Sequence, residues 1–255
     1  MITAIGVVIP ARDEAGLIGA CLHAMSAALR GVPPRVERVV CVVADRCTDE
    51  TVRLARAAFG GWQAGVITVN DAPLSIGEVR ALGCRAARWR LRTHAPSTTL
   101  LLNTDADSAV GRSWAREHLR LADEGSHAVA GTAEFASPFP VASVATLRYQ
   151  RVLDRARRPE GHGNVYGANL GVRADAYAAV GGFHALSTGE DHDLWDRLGV
   201  AGFRLRYDCA ARVRTSARLA GRAPHGLAEL LRTLVGEQPE AVPRGVPPGS
   251  VLARR

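Results

Sequence analysis

Asp105 and Asp107 stand two residues apart in the stretch Leu101-Leu102-Asn103-Thr104-Asp105-Ala106-Asp107. Two carboxylates at that spacing on a tight turn can share a hard divalent cation. Mg²⁺ and Mn²⁺ prefer oxygen ligands and keep positions open for substrate phosphates. A cation held there would neutralise charge on a departing diphosphate. A solvated acidic turn has the same composition, because Asp is a common turn residue. The position of the pair at the end of an apolar run favours the cation.

Three further polar clusters follow apolar runs in the same way. Pro10, Ala11, Arg12, Asp13 and Glu14 come after Ile5 to Ile9. Asp45, Arg46, Cys47, Thr48 and Asp49 come after Val39 to Ala44, and Asp71 follows Val66 to Val69, with Arg80 a little later. In open parallel sheets, ligands bind beyond the carboxyl ends of the strands. Four polar clusters at four strand ends are what a single site lined by strand tips requires. A late carboxylate pair, Glu190 and Asp191, precedes Leu194, Trp195 and Leu198 at helical spacing. The pair therefore falls in the first turn of a helix, where the N-terminal end stabilises a carboxylate. His192 is a rival proton acceptor.

The elements that must position these residues read as alternating strands and helices. Apolar runs predict strands at 5–9, 39–44, 66–69, 99–102 and near 127–131. Helical spacing predicts helices at 14–30, 76–92 and 112–124, and a helix after Thr48, with Thr48 as its cap. Such alternation over the first 130 residues predicts a parallel sheet covered on both faces, an α/β fold. Beyond residue 130 the pattern is less regular. Residues 139–158 read as a long helix carrying Arg148, Arg151, Arg155, Arg157 and Arg158. A strand is expected at 169–173, helical patches at 174–180, 190–199 and 226–235, and an Arg-rich loop at 212–225. The segment after Gly236, rich in Pro, Gly and Arg, reads as a flexible tail.

Composition narrows the function. The net charge is +7, and every basic side chain other than histidine is arginine. Coding bias accounts for that; attraction to an anionic partner does so as well. The arginines are scattered, with no zinc-finger spacing and no aromatic–basic RNA-binding signature, so no nucleic-acid partner is expected. The five cysteines, at 21, 41, 47, 84 and 209, include no C-x-x-C pair. Reduced, mostly buried thiols in a cytoplasmic protein fit better than disulfides or a zinc site. The N-terminus lacks a signal-peptide pattern, and no membrane-spanning stretch is present, although peripheral membrane contact stays open. Neither G-x-G-x-x-G nor a P-loop occurs, which counts against a dinucleotide-dependent dehydrogenase and a P-loop kinase.

The segments VVIPARDE, VVADRCTDET, LLNTDADS, GANLGVRADAYAAVGGF and GEDHDLWDRL, in this order and approximate spacing, resemble the family 2 glycosyltransferases over roughly residues 5–215. The resemblance implies a GT-A fold: a Rossmann-like, mixed but mainly parallel central sheet flanked by helices, in a single domain. Residues 1–130 would be its nucleotide-sugar-binding half and 131–235 its acceptor-binding, catalytic half, with 236–255 as the tail. By position, Pro10, Arg12 and Glu14 would border the base, and Asp45 would accept a hydrogen bond from it, often a uracil imide. Arg46–Cys47 replaces the family's Gly-Ser after that Asp. Arg80 would reach the ribose or diphosphate, Asp105 would lie near the ribose, and Asp107 would hold Mn²⁺ or Mg²⁺. Asn169 could contact sugar hydroxyls. His225 could join the metal or diphosphate, as could Arg214 and Arg218 the diphosphate. Asp191 would be the general base, with Glu190 beside it.

The reaction so implied moves a sugar from a nucleoside-diphosphate sugar, UDP-linked by the family pattern, to an acceptor hydroxyl or amine on a small molecule, glycan or lipid. Inversion is expected, although some proteins with this fold retain configuration. Two other readings remain at this stage: a nucleotidyltransferase that makes sugar nucleotides, and a catalytically silent nucleotide-sugar-binding protein. The absence of a Gly-rich N-terminal loop and of lysines weakens the first.

Overall fold

The computed structural model describes residues 1–60, 64–135, 147–148, 151, 154–155, 157–159, 161–216 and 233. In chain order the elements are β1 (Ala4–Ala11), α1 (Ile18–Arg30), β2 (Glu37–Asp45), α2 (Thr51–Phe59), β3 (Gly65–Asn70), α3 (Ile76–Arg90), β4 (Thr99–Asn103), β5 (Ser108–Val110), α4 (Trp114–Asp123), β6 (Ala128–Phe135), β7 (Leu170–Arg173), α5 (Ala174–Ala179), α6 (Glu190–Val200) and β8 (Leu205–Thr215). Short 3₁₀ turns lie at Pro96–Thr98 and Gly167–Asn169.

Among the described residues eight strands form one sheet in the order β3-β2-β1-β4-β7-β6-β8-β5. The first four strands in that order are parallel. Strand β7 runs antiparallel to both β4 and β6. Strand β8 is parallel to β6 and antiparallel to β5. Both halves of the sequence thus contribute to a single mixed sheet.

The core lies on both faces of that sheet, which explains why the central strands read as unbroken apolar runs instead of alternating ones. All eight residues of β1 are buried. Ile5, Val7 and Ile9 join a cluster with Ile18, Leu22 and Met25 of α1. Ala4 and Val8 join the opposite cluster with Cys84 and Ala87 of α3. Each large side chain buried this way contributes about 1.5–3 kcal/mol.

Two glycines set how closely α3 lies on the sheet. A Cβ on Gly83 would come within 2.4 Å of Val8 Cγ1, and one on Gly6 within 2.8 Å of the Ala87 Cβ. Arg80, three residues before Gly83, is on the same buried face of α3. Close packing therefore brings the Arg80 guanidinium to the carboxyl ends of the strands. The helix starts at a capping box: Ser75 accepts from the Glu78 backbone N–H, and the Glu78 side chain accepts from the Ser75 backbone N–H.

Several expectations change. Thr48 does not cap α2: the N-cap residue is Glu50, and it makes no side-chain cap bond. The Thr48 N–H and hydroxyl instead donate to Asp13 Oδ1. Helix α1 begins at Ile18, not near 14: residues 15–17 form a turn over which the Glu14 carbonyl accepts from the N–H groups of Leu17 and Ile18. The expected loop at 212–225 opens with strand β8, in which Ala211, Val213 and Thr215 point inward and Arg212 and Arg214 outward. Strand β5 was not expected. Leu147, Arg148, Arg151, Asp154 and Arg155 are helical, but the helix does not reach 158: Arg158 forms a β-bridge with Gly161. The helical patch at 226–235 falls outside the described residues apart from Thr233, and so does the tail at 236–255.

Candidate active site

The tips of β1 and β2 are laced together. Asp13, with a left-handed φ of 50°, accepts from the Thr48 N–H at 2.7 Å. Asp49 Oδ2 accepts from the Ala15 N–H at 3.0 Å, and Thr51 Oγ1 accepts from the Glu14 N–H at 2.7 Å. Asp13, Cys47 and Asp49 place one ligand atom each within 4.8 Å of one another. Their hydrogen bonds to the two loop backbones make this a clasp between the loops. Pro10 and Glu14 are buried here, and Arg12 is exposed.

Asp45, the last residue of β2, is 7% exposed. Its Oδ1 accepts from Asn70 Nδ2 at 2.7 Å and from Arg46 Nε at 3.2 Å, and its Oδ2 accepts from Arg46 Nη2 at 3.2 Å. Arg46 has a φ of 48°, a left-handed conformation that glycine adopts freely. The replacement of Gly by Arg after Asp45 therefore has two consequences: it strains the backbone, and it puts a guanidinium on both carboxylate oxygens. Strand β1 separates β2 from β4, so the tips carrying Asp45 and Asn103 are about 10 Å apart.

Arg80 is the centre of the next group. It is 3% exposed. Its Nη2 donates to Asp105 Oδ1 at 2.7 Å, and its Nε donates to Glu190 Oε1 at 2.9 Å. Burial works against the cation, but Asp105 and Glu190 more than offset it, so its pKa lies above the ordinary arginine value. Burial raises the pKa of Glu190, and Asp191 adds to that while Arg80 opposes it. Asp191 Oδ2 accepts from the Gly167 N–H at 2.6 Å, and Oδ1 accepts from the His192 N–H at 2.8 Å. A Cβ on Gly167 would lie 2.4 Å from Arg80 Nη2, so only glycine fits between the guanidinium and the Asp191 carboxylate. Arg80 was expected to reach a ribose or diphosphate; it ties the β4 tip to the α6 N-terminus through Nε and Nη2, and its buried Nη1 has no hydrogen-bond partner among the described residues.

Asp107 is half-buried, and its Oδ1 accepts from Ser108 Oγ at 3.3 Å and Thr215 Oγ1 at 3.4 Å. Beneath the turn the buried Cys21 thiol donates to the Asp105 carbonyl. Its pKa is pushed far up, first by burial and then by Asp105, Asp107 and Glu14. Asp105, Asp107 and Glu14 thus all stand near the Cys21 thiol. Carboxylate oxygens such as those of Asp105 and Asp107 are the ligand type that a hard divalent cation suits. His225 and Arg218 lie outside the described residues. Arg214 is exposed on β8, in register with Ala109 and Glu134.

Asn169 corrects an expectation. It is fully buried, its Oδ1 accepts from Trp114 Nε1 at 2.7 Å and His118 Nε2 at 3.0 Å, and its Nδ2 donates to the Thr132 and Ala211 carbonyls, both at 2.8 Å. All four hydrogen-bonding positions of the amide are used inside the fold. The side chain is a junction between α4, β6 and β8, and a Cβ on Gly131 would leave it no room. Burial lowers the His118 pKa from 6.5 to about 4, with the Asn169 bond opposing, so the ring is neutral.

Comparison with known proteins agrees with this architecture. The family described as Glycosyltransferase like family 2 matches residues 3–232. S. aureus TarS 1–349 in complex with UDP-GlcNAc superposes with a TM-score of 0.64 at 14% identity, covering 88% of this chain and 60% of that one. The mannosyltransferase PcManGT from Pyrobaculum calidifontis, in complex with GDP-Man and Mn²⁺, gives 0.63 at 17% identity, covering 89% and 68%. GalNAc-T7 with UDP, GalNAc and Mn²⁺ gives 0.62 at 11% identity, covering 84% and 44%. No curated protein sequence matches the chain significantly. The fold is that of the GT-A glycosyltransferases, and the chain belongs to the glycosyltransferase family 2-like family.

Proposed function

We propose that the protein transfers a glycosyl group from a nucleoside-diphosphate sugar to an acceptor hydroxyl or amine, with inversion at the anomeric carbon. The observation that most supports this is the Arg80 bridge. It draws Asp105 at the β4 tip and Glu190 at the start of α6 onto one guanidinium, which leaves Asp191 beside the strand tips.

Asp191 serves as the base. Each of its oxygens accepts one backbone N–H and keeps a lone pair for an acceptor O–H or N–H. As the acceptor oxygen or nitrogen attacks, Asp191 takes its proton, the bond from the anomeric carbon to the diphosphate breaks, and the electron pair leaves with the diphosphate. Asp45 accepts from the base of the nucleotide, uracil by family pattern, and Pro10, Arg12 and Glu14 border it.

The carboxylates of this chain fit a divalent metal. Asp107 would hold Mn²⁺ or Mg²⁺, with the Asp105 oxygen not engaged by Arg80 as its neighbour. Such a cation would offset charge on the leaving diphosphate. The solved relatives PcManGT and GalNAc-T7 contain Mn²⁺, consistent with this assignment. No helix among the described residues is long and apolar enough to cross a membrane.

A thermal-shift screen of UDP, GDP and their sugars, with and without Mn²⁺, tests the proposal. One nucleoside diphosphate should raise the melting temperature, and chelation should remove most of that rise. Stabilisation by none of them, or equal stabilisation after chelation, contradicts the donor or the metal assignment respectively. Release of nucleoside diphosphate, and not pyrophosphate, separates glycosyl transfer from nucleotidyl transfer.

A further inference from the structure

The C-terminal half of α3, just over two turns beyond Arg80 and about 12 Å along the axis, carries a face that the donor site does not use. Arg85, Arg88 and Trp89 fall at i, i+3 and i+4, one side of the helix, and Arg92 follows in the turn just after its end. The other side, Cys84, Ala87 and Leu91, is buried in the core. Arg85, Arg88, Trp89 and Arg92 line a cavity of about 560 Å³ that Cys84 and Leu91 reach from the core side and Tyr177 and Gly182 also line. No lining residue is acidic. Arg85, Arg88 and Arg92 make no ion pair among the described residues, and Trp89 is 67% exposed with the Arg92 guanidinium 4.6 Å over its ring.

We propose that this face binds an anionic bilayer surface, with a lipid headgroup phosphate taken into the cavity. The arginines supply the charge complement, because clustered basic side chains on an amphipathic helix are drawn to anionic headgroups. The exposed indole decides between a bilayer and a free anion. A soluble anion needs no apolar ring at the rim of its site, whereas an indole at the headgroup level is a membrane-interface anchor. Arginine also matches phosphate geometry through its planar fork. The inference stands apart from the donor-site reading, since none of these residues belongs to it.

Co-sedimentation of the full chain with vesicles tests this, using phosphatidylcholine alone and phosphatidylcholine with about one-third phosphatidylglycerol. The expected result is binding to the anionic vesicles only. The triple variant Arg85→Ser, Arg88→Ser, Arg92→Ser should lower that partition at least about tenfold. A control that removes equal charge elsewhere, Arg35→Ser, Arg56→Ser, Arg116→Ser, should stay near the original. Vesicles should also shift tryptophan emission to the blue, and Trp89→Ser should abolish the shift. Equal loss in both triple variants would reduce the effect to net charge and overturn the proposal. So would failure to bind anionic vesicles, or stabilisation by inorganic phosphate without vesicle binding, which would mark a small-anion site instead.

Discussion

Arg80 and Glu190 are 110 residues apart in sequence and 2.9 Å apart in space, both buried, with Nε donating to Oε1. The same guanidinium holds Asp105. Breaking a buried charge group by removing one member costs about 3–5 kcal/mol, because the remaining charges lose their compensation. Arg80→Met should therefore lower stability by about that amount, read from the urea midpoint, and should abolish transfer. The double variant Arg80→Met, Glu190→Gln should recover part of the stability, since it removes an orphaned carboxylate. Additive losses in the double-mutant cycle would show that the bridge carries no coupling.

Asp191→Asn tests the base. The amide still offers one oxygen to a backbone N–H but cannot take a proton. The expected outcome is a fall in kcat of about 10²–10⁴-fold, while the thermal shift produced by the donor nucleotide persists. Wild-type turnover in this variant would remove Asp191 from the reaction. His192, exposed next to it, serves as the comparison: His192→Ala should leave kcat within about twofold.

Asn169 separates a structural junction from a substrate contact. Asn169→Ala would strand the buried Trp114 and His118 N–H groups and two carbonyls, each unsatisfied group costing about 1–3 kcal/mol before relaxation. The variant should lose about 3–5 kcal/mol in urea unfolding, and the fraction that folds should bind donor nucleotide normally. A loss of donor affinity without a loss of stability would return Asn169 to the sugar site.

The strand tips were legible in the sequence because apolar runs long enough to be buried on both faces end abruptly in Asp45 and in Asn103-Thr104-Asp105. Glu190–Asp191 was legible as a first turn because Leu194, Trp195 and Leu198 mark the buried side of α6. Arg80 as a tie was not, since its partners lie 25 and 110 positions away and only the packing of Gly83 on Val8 brings them within reach. Asn169 was misassigned for a related reason: its four partners come from α4, β6 and β8, and no local pattern reports them. Two further elements do have a local signature. Ser75-Ile76-Gly77-Glu78 is a capping-box sequence, and the alternation of Ala211, Val213 and Thr215 with arginines has the period of a strand.

His118 sets an acid limit on the fold. Its pKa lies near 4 in the folded protein and at 6.5 when exposed. The unfolded chain therefore binds this proton first as pH falls. The contribution is fully present above 6.5 and is lost between 6.5 and about 4, amounting to about 3 kcal/mol. Stability measured across that window should fall, and His118→Gln should flatten the slope while lowering the plateau through a weakened bond to Asn169. An unchanged slope would mean that another group controls acid unfolding.

Arg46 is where this chain departs from its family in a way that bears on the donor. Its guanidinium occupies both oxygens of Asp45, and its φ of 48° is strained for a side chain with a Cβ. A base that hydrogen-bonds to Asp45 must share the carboxylate with, or displace, that guanidinium. Arg46→Gly relieves the backbone and frees the carboxylate together. Stability should change little, since relief of about 1 kcal/mol works against the loss of the Arg46 pair, and the buried Asp45 keeps its hydrogen bond from Asn70. Binding should change more: the variant is expected to bind its preferred nucleoside diphosphate about three- to tenfold more tightly, with a different ranking among bases. Calorimetry of UDP, GDP, CDP and ADP against both proteins measures the effect. Weaker binding of every nucleotide in Arg46→Gly would reverse the assignment, making Arg46 itself a contact to the donor.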